Sequence, residues 1–212
     1  MSLPIIVLGA GGHARVLIDA LHGRAAVIQG IAEADRSRHG QTLLDIPIIG
    51  DDEEVLAFAQ DSVRLVNGVG TVRVSQLRRQ LYDSFRGKGY RFAAVVHASA
   101  IVAPDVVLAE GAQIMAGAVL QTGCRIGENA IINTRVAVDH DCVIGKHVHV
   151  SPGATLCGNV TVGEGSHIGA GATVIQGIRI GRNSMVAAGA VVIRDIADNV
   201  TVAGVPAKEM QS

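Results

Sequence analysis

Residues 126–150 read IGENAIINTRVAVDHDCVIGKHVHV, with an aliphatic residue at every sixth position: Ile126, Ile132, Val138, Ile144 and Val150. The same phase runs outward on both sides, from Val102, Leu108, Ile114 and Leu120 to Leu156, Val162, Ile168, Val174, Ile180, Val186 and Val192. With 49% of the chain hydrophobic, chance would fill all sixteen positions of a chosen phase in about one case in 10⁵. Four positions after the aliphatic residue stands a mostly small one (Ala112, Ala118, Cys124, Ala130, Cys142, Ala154), and glycine often follows it directly (Gly127, Gly145, Gly163, Gly169, Gly181). This hexapeptide repeat suits a parallel β-helix of triangular section, with about six residues to a face and eighteen to a coil. The aliphatic residues then point inward, and residues eighteen apart stack roughly 4.8 Å apart on adjacent coils. Cys124 and Cys142 fall on the small position one coil apart and are expected as packed core thiols. Spacing gives the coil but not its hand.

Upstream of residue 97 the rhythm is different. Short apolar runs (Ile5–Leu8, Val27–Ile31, Ile46–Ile49, Val63–Val66, Phe92–Val95) alternate with helical patterns (Ala14–Leu21, Asp51–Ala59, Val74–Phe85). That alternation predicts a small parallel sheet of doubly wound type with flanking helices. The chain therefore divides into an α/β domain over 1–96 and a coil over 97–212. Composition narrows the function. Lys and Arg number 18 against 19 Asp and Glu, and there is no Trp, two Tyr and three Phe. A nucleic-acid groove wants basic and stacking residues together, so that class is disfavoured. No apolar stretch reaches the length of a membrane span. The opening MSLPIIVLGA reads as a first strand, not a signal peptide. Three cysteines without a paired framework suit a reducing cytosol, so a cytoplasmic protein is expected.

Between strand and helix lies Gly9-Ala10-Gly11-Gly12-His13-Ala14, which fits the G-x-G-x-x-G/A spacing of a dinucleotide-binding turn. A dehydrogenase would need room for a nicotinamide and a hydride acceptor, and the rest of the chain is coil. The glycines read better as a cradle for a pyrophosphate at a helix N-terminus. His13 would favour phosphate when charged, or alternatively cap the helix. Downstream, Asn133 and Asp139 stand at positions where other rungs often carry glycine, around Asp139-His140-Asp141. Local departures from a consistent pattern mark function. A histidine beside a carboxylate is suited to accept a proton near neutral pH, with the carboxylate fixing its tautomer. A surface histidine on a turn is the bland alternative, and spacing fits either Asp139 or Asp141 as the partner. Gly158, one coil beyond His140, would let a ligand approach the backbone, its N–H serving an oxyanion. His149 and His167 are also eighteen apart, but no third ligand stands at a suitable spacing, so no metal is expected. Arg73, Arg78 and Arg79 read as a solvated helix face.

The coil and its ending, Gly204-Val205-Pro206-Ala207-Lys208, resemble the hexapeptide-repeat acyltransferases with a left-handed parallel β-helix. With GAGGHA in front, the chain is similar end to end to the sialic-acid O-acetyltransferase-like and bacterial nucleotide-amino-sugar N-acetyltransferases. That family includes enzymes acting on UDP-linked 4-amino-4,6-dideoxy sugars and on GDP-perosamine. The resemblance implies a Rossmann-like domain for the nucleotide sugar, acetyl-CoA as cosubstrate and no metal. It implies a homotrimer with the acetyl-CoA groove between subunits. It places His140 as base, Asp141 as its orienter and Gly158 as oxyanion donor. Gly11, Gly12, His13, Glu33, Ala34, Asp35, Gly68 and Asn133 fall on substrate positions. His149, Gly158, Ala170, Ala188 and Lys208 fall on acetyl-CoA positions. Where the family usually has an Asp-Asp pair this chain has Glu33-Ala34-Asp35, which leaves the nucleotide base open. Two other activities fit the same residues: O-acetylation of sialic acid or a related sugar, and a non-catalytic nucleotide-sugar-binding scaffold.

Overall fold

The computed structural model describes residues 3–24, 26–71 and 76–210. Two compact units form, Met1–Ala98 and Ser99–Ser212. In the first, β1 (Ile5–Leu8), α1 (Gly12–His22), β2 (Ile28–Ala32), β3 (Thr42–Leu43), β4 (Ile46–Gly50), α2 (Asp52–Leu56), β5 (Arg64–Asn67) and α3 (Gln76–Gly87) follow in order. The sheet runs β3-β4-β2-β1-β5, parallel from β4 to β5. All four residues of β1 are buried, as a parallel strand covered on both faces requires. The sequence reading missed the antiparallel β3-β4 pair, whose turn at Leu44 and Asp45 (φ 51° and 64°) carries no glycine. Of the strand expected at Phe92–Val95, Phe92 makes an isolated bridge to Leu65 and Val95 opens a two-residue strand, Val95–Val96. The part of the expected third helix at Val74 and Ser75 lies outside the described residues. Strand order reverses at β1, with β2 on one side and β5 on the other, so the C-terminal ends of these three strands open a crevice.

The second unit is a triangular parallel coil. Face I stacks Ile101–Val102, Val119–Leu120, Ala137–Val138, Thr155–Leu156, Thr173–Val174 and Val191–Val192. Face II stacks Val107–Leu108, Arg125–Ile126, Val143–Ile144, Thr161–Val162 and Arg179–Ile180. Face III carries Gln113–Ile114, Ile131–Ile132, His149–Val150, His167–Ile168, Met185–Val186 and Thr201–Ala203. Registers such as Ile131↔His149 and His149↔His167 advance by eighteen residues throughout. The aliphatic residues from Ile114 to Val192 are buried inward, and Cys124 and Cys142 are fully buried beside them.

The three corners are not equivalent. Between faces II and III, Gly127, Gly145, Gly163 and Gly181 are close to the next coil. A Cβ at Gly127 would lie 2.6 Å from the Gly145 carbonyl carbon, and one at Gly145 would lie 2.8 Å from the Glu164 nitrogen. The glycine signal therefore belongs chiefly to one corner. Asn133 lies on the corner between faces III and I, and Asp139 on that between I and II, where glycine is not the rule. The turns themselves fall one residue before the small inward positions. From Gly111 to Gly189 every sixth residue has a left-handed backbone, including Asn129, Arg135, Asp141, His147, Asn159 and Asn183. Glycine and asparagine tolerate that geometry, whereas Arg135, Asp141 and His147 adopt it at a cost of about 1 kcal/mol. Among the described residues no helix is long and apolar enough to cross a membrane.

Candidate active site

At the corner between faces I and II, His140 Nδ1 lies 2.9 Å from Asp141 Oδ2. A carboxylate only accepts, so Nδ1 carries the proton and Nε2 keeps its lone pair. Asp139 does something else: its Oδ1 accepts the backbone N–H of His140 at 2.8 Å. The Asp141 hydrogen bond, seconded by the Asp139 charge, raises the His140 pKa above the usual imidazole value. Both partners are open to solvent, with side chains 56% and 65% exposed. Asp141 is held here by a left-handed backbone (φ 59°) and by its N–H on the Thr122 carbonyl. Gly158 lies directly against the ring. A Cβ there would stand 2.5 Å from His140 Nε2, so any side chain would displace the imidazole. Beside this corner a hollow of about 210 Å³ opens on face I, lined by Val119, Ala137, Thr155, Gln121 and Asp139 among others.

Asn133 and His149 are elsewhere, on face III and the corner that follows it. Asn133 Oδ1 accepts the Thr134 N–H at 2.8 Å, which turns its Nδ2 toward His149 Nε2 at 3.0 Å. An amide nitrogen only donates, so His149 Nε2 accepts and this imidazole is neutral with its proton on Nδ1. Its lone pair is engaged, whereas that of His140 Nε2 faces Gly158. His149 stacks edge-on against His167, 4.8 Å between centroids, and His167 Nε2 meets Ser151 Oγ at 3.0 Å. His167 is only 6% exposed, and burial lowers its pKa. Among the described residues no three His, Cys, Asp or Glu side chains are grouped to hold a metal.

Ala170 and Ala188 continue this same edge upward, both exposed and eighteen residues apart on the line of Thr134 and Pro152. At its top, Lys208 pairs antiparallel with Ala203 in the closing hairpin. The edge thus runs from Asn133 and His149 past two alanines to a lysine. Gly158, expected with both sets, sits with His140. Within one chain the two groups are separated by the width of face I, about 15–20 Å at the rise of extended strand.

In the first unit a cavity of about 410 Å³ opens where β1, β2 and β5 end. Gly11, Gly12, His13, Glu33, Ala34 and Gly68 all line it. Gly11 is the N-cap of α1 without a side-chain cap bond, so His13 is not the cap. A Cβ at Gly11 or Gly12 would meet nothing within 4 Å, so these glycines leave the helix N-terminus open to a ligand. Glu33 braces the turn. Its Oε2 accepts the Ala10 N–H at 2.7 Å and its Oε1 the Asp35 N–H at 3.0 Å, while Arg38 donates to the Ala10 carbonyl at 3.0 Å. Asp35 does not line the cavity. It caps a short helix turn through Ser37 N and Oγ, and these bonds lower its pKa. Asp52, at the start of α2, also lines the cavity, and burial raises its pKa. Arg78 is buried at 3% exposure, not solvated. Arg79 pairs with Asp83 at 3.6 Å, and Arg73 lies outside the described residues.

Two family models match the chain: the PglD N-terminal domain over residues 4–85, and the bacterial transferase hexapeptide repeat within residues 123–194. No curated protein sequence matches. Among solved structures, a histidine variant of perosamine N-acetyltransferase from Caulobacter crescentus, in complex with CoA and GDP-perosamine, is 38% identical with a TM-score of 0.92, covering 100% of both chains. The acetyltransferase domain of PglB from Neisseria gonorrhoeae, in complex with acetyl coenzyme A, is 33% identical with a TM-score of 0.91, covering 99% of this chain and 100% of that one. WeeI from Acinetobacter baumannii is 25% identical with a TM-score of 0.87, again over 99% and 100%. Superposition of whole chains at this level makes the coil a left-handed β-helix, as the resemblance implied. With both family models present and whole-chain matches at 38% and 33% identity, the chain belongs to the family of acetyl-CoA-dependent sugar N-acetyltransferases built from a PglD-type N-terminal domain and a hexapeptide-repeat β-helix.

Proposed function

We propose that this protein transfers the acetyl group of acetyl-CoA to the amino group of a nucleotide-linked 4-amino-4,6-dideoxy sugar, with His140 as general base. The observation that carries the reading is the His140 ring itself. Its Nδ1 is anchored on Asp141, and its Nε2 lone pair is free beside Gly158. The amine nitrogen attacks the thioester carbonyl carbon while Nε2 takes its proton, and the imidazolium is stabilised by the Asp141 and Asp139 carboxylates. The tetrahedral oxyanion is met by the Gly158 N–H. As the C–S bond breaks, the proton passes to the departing sulfur, giving CoA thiol and the amide.

The nucleotide occupies the 410 Å³ cavity, its pyrophosphate on the N-terminus of α1. The sugar class is supported by the GDP-perosamine bound in the 38%-identical neighbour. Acetyl-CoA runs along the edge of Ala170 and Ala188, its thioester end near Asn133 and His149 and its phosphates near Lys208. Because that edge and the His140 corner are apart in one chain, a neighbouring copy completes each site, and the working form is a homotrimer. Its setting is cytoplasmic, where acetyl-CoA and nucleotide sugars meet. Acetyl-CoA and a panel of UDP-, GDP- and CMP-linked sugars, with acetylated products read by mass spectrometry, test the reading. An acetamide on an amino sugar is expected; acetylation only of a hydroxyl acceptor overturns it. Light scattering on the eluted protein gives three subunits if the shared site is right, and a monomer that turns over removes that part.

A further inference from the structure

Arg78 belongs to α3, yet its guanidinium points into the protein. Nη1 donates to the carbonyls of Asn67 at 2.8 Å and Val69 at 2.7 Å, the two residues flanking Gly68. Asn67 returns the contact. Its Nδ2 donates to the Arg78 carbonyl at 2.9 Å and its Oδ1 accepts the Val69 N–H at 3.2 Å. Asn67 and Arg78 are 1% and 3% exposed, so this clamp works without competition from water. The turn it holds, residues 67–70 at the end of β5, is the third, after those of β1 and β2, and forms the far wall of the nucleotide cavity, which Gly68, Val69 and Gly70 line.

That wall supports the first glycine turn. The Gly68 N–H donates to the Leu8 carbonyl at 2.7 Å. A Cβ at Gly9 would stand 3.2 Å from Val69 Cγ2, and one at Gly70 would stand 3.1 Å from His13 Cβ. A displaced third turn therefore displaces Gly9 and His13 with it. The clamp also has an electrostatic effect. A carbonyl oxygen turned into the cavity would repel an anion, and Arg78 draws two of them onto a cation behind the wall.

We propose that Arg78 is a positioning residue for the nucleotide's phosphates, setting the gap between the first and third turns and keeping carbonyl oxygens out of the anion's path. This rests on reading the cavity as the nucleotide site. Titration calorimetry on the full chain tests it, with GDP and UDP as probes and CoA as a control ligand. One probe binds the unaltered protein. Arg78→Met is expected to bind it about 10- to 100-fold more weakly, the loss of hydrogen bonds to a charged donor, with CoA affinity unchanged. Arg78→Lys recovers part of the loss, because an ammonium still donates to carbonyls. With the acceptor sugar, KM rises while kcat holds, a split that loss of fold does not produce. Equal probe affinity in a folded Arg78→Met protein overturns the role of Arg78 alone. An unaltered protein that binds neither probe removes the nucleotide reading and this proposal with it. If Arg78→Met does not fold, Asn67→Ala opens the same clamp from the other side: weaker probe binding with intact CoA binding supports the proposal, and unchanged probe binding overturns it.

Discussion

In the α/β unit and in the coil, glycine does opposite work. Gly145 and Gly163 in the coil exist because the next rung's backbone is under 3 Å from where a Cβ would be. Gly11 and Gly12 in the first unit face empty space. In the coil a missing side chain lets the protein meet itself; in the cavity it leaves open the space that the proposed nucleotide would fill. The same residue type thus carries stability in one region and binding in the other, and only packing tells which.

The largest test of that contrast is on activity. His140→Ala should lower turnover by about 10²- to 10⁴-fold with an unchanged melting temperature, since the ring is exposed and supports no packing. A fall in the melting temperature of several degrees would place the ring in the fold instead. Gly158→Ala sharpens the point, because its methyl displaces the imidazole; a loss of roughly tenfold or more in kcat is expected, with CoA binding retained. A matched pair then compares the regions directly. Gly145→Ala should destabilise by about 1–3 kcal/mol as an overpacked site, read by urea unfolding. Gly12→Ala should leave unfolding as it was and weaken GDP or UDP binding. If the two exchange behaviours, the contrast is wrong.

The pH dependence is subtler. His140 acts as a base only when neutral, and its pKa is raised chiefly by Asp141, so kcat/KM falls as pH drops through that raised value. Asp141→Asn removes the main cause, and the acid limb should move to lower pH while the plateau falls. Asp139→Asn should move the limb less. A limb that stays in place in both variants would detach it from His140. The smallest effect concerns strain. Arg135→Gly relieves a left-handed backbone at φ 57°, and a gain of a few tenths to about 1 kcal/mol is expected in unfolding.

The coil was legible because it repeats. Sixteen in-phase aliphatic residues leave little freedom, and His140 stood out in the sequence as an imidazole flanked by two carboxylates. Even so, the period does not say which corner a residue occupies. Asn133 and His140 are seven residues apart in sequence yet on different corners, and the glycine rule proved specific to the remaining corner, between faces II and III. In the α/β unit the glycine turns were legible through their spacing, but the side chains around them were not. Glu33 and Asp35 look alike in the sequence, and one braces the first turn while the other caps a helix turn away from the cavity. Arg78 looks like its neighbour Arg79, and a single step around the helix buries one and leaves the other half-buried beside Asp83. Helical periodicity fixes a face; which face the sheet takes depends on strand order.

Eighteen residues per coil make the second unit a ruler. From Asn133 to the hairpin of Lys208 the edge rises in steps of about 4.8 Å, so its length comes in whole rungs. Inserting or deleting one rung would keep every corner in phase and move the lysine by a single step, while a one-residue change would put each later corner out of phase. On the proposed placement of acetyl-CoA, the distance between the reacting end and the phosphate end of the carrier is thus written in this protein as a number of turns.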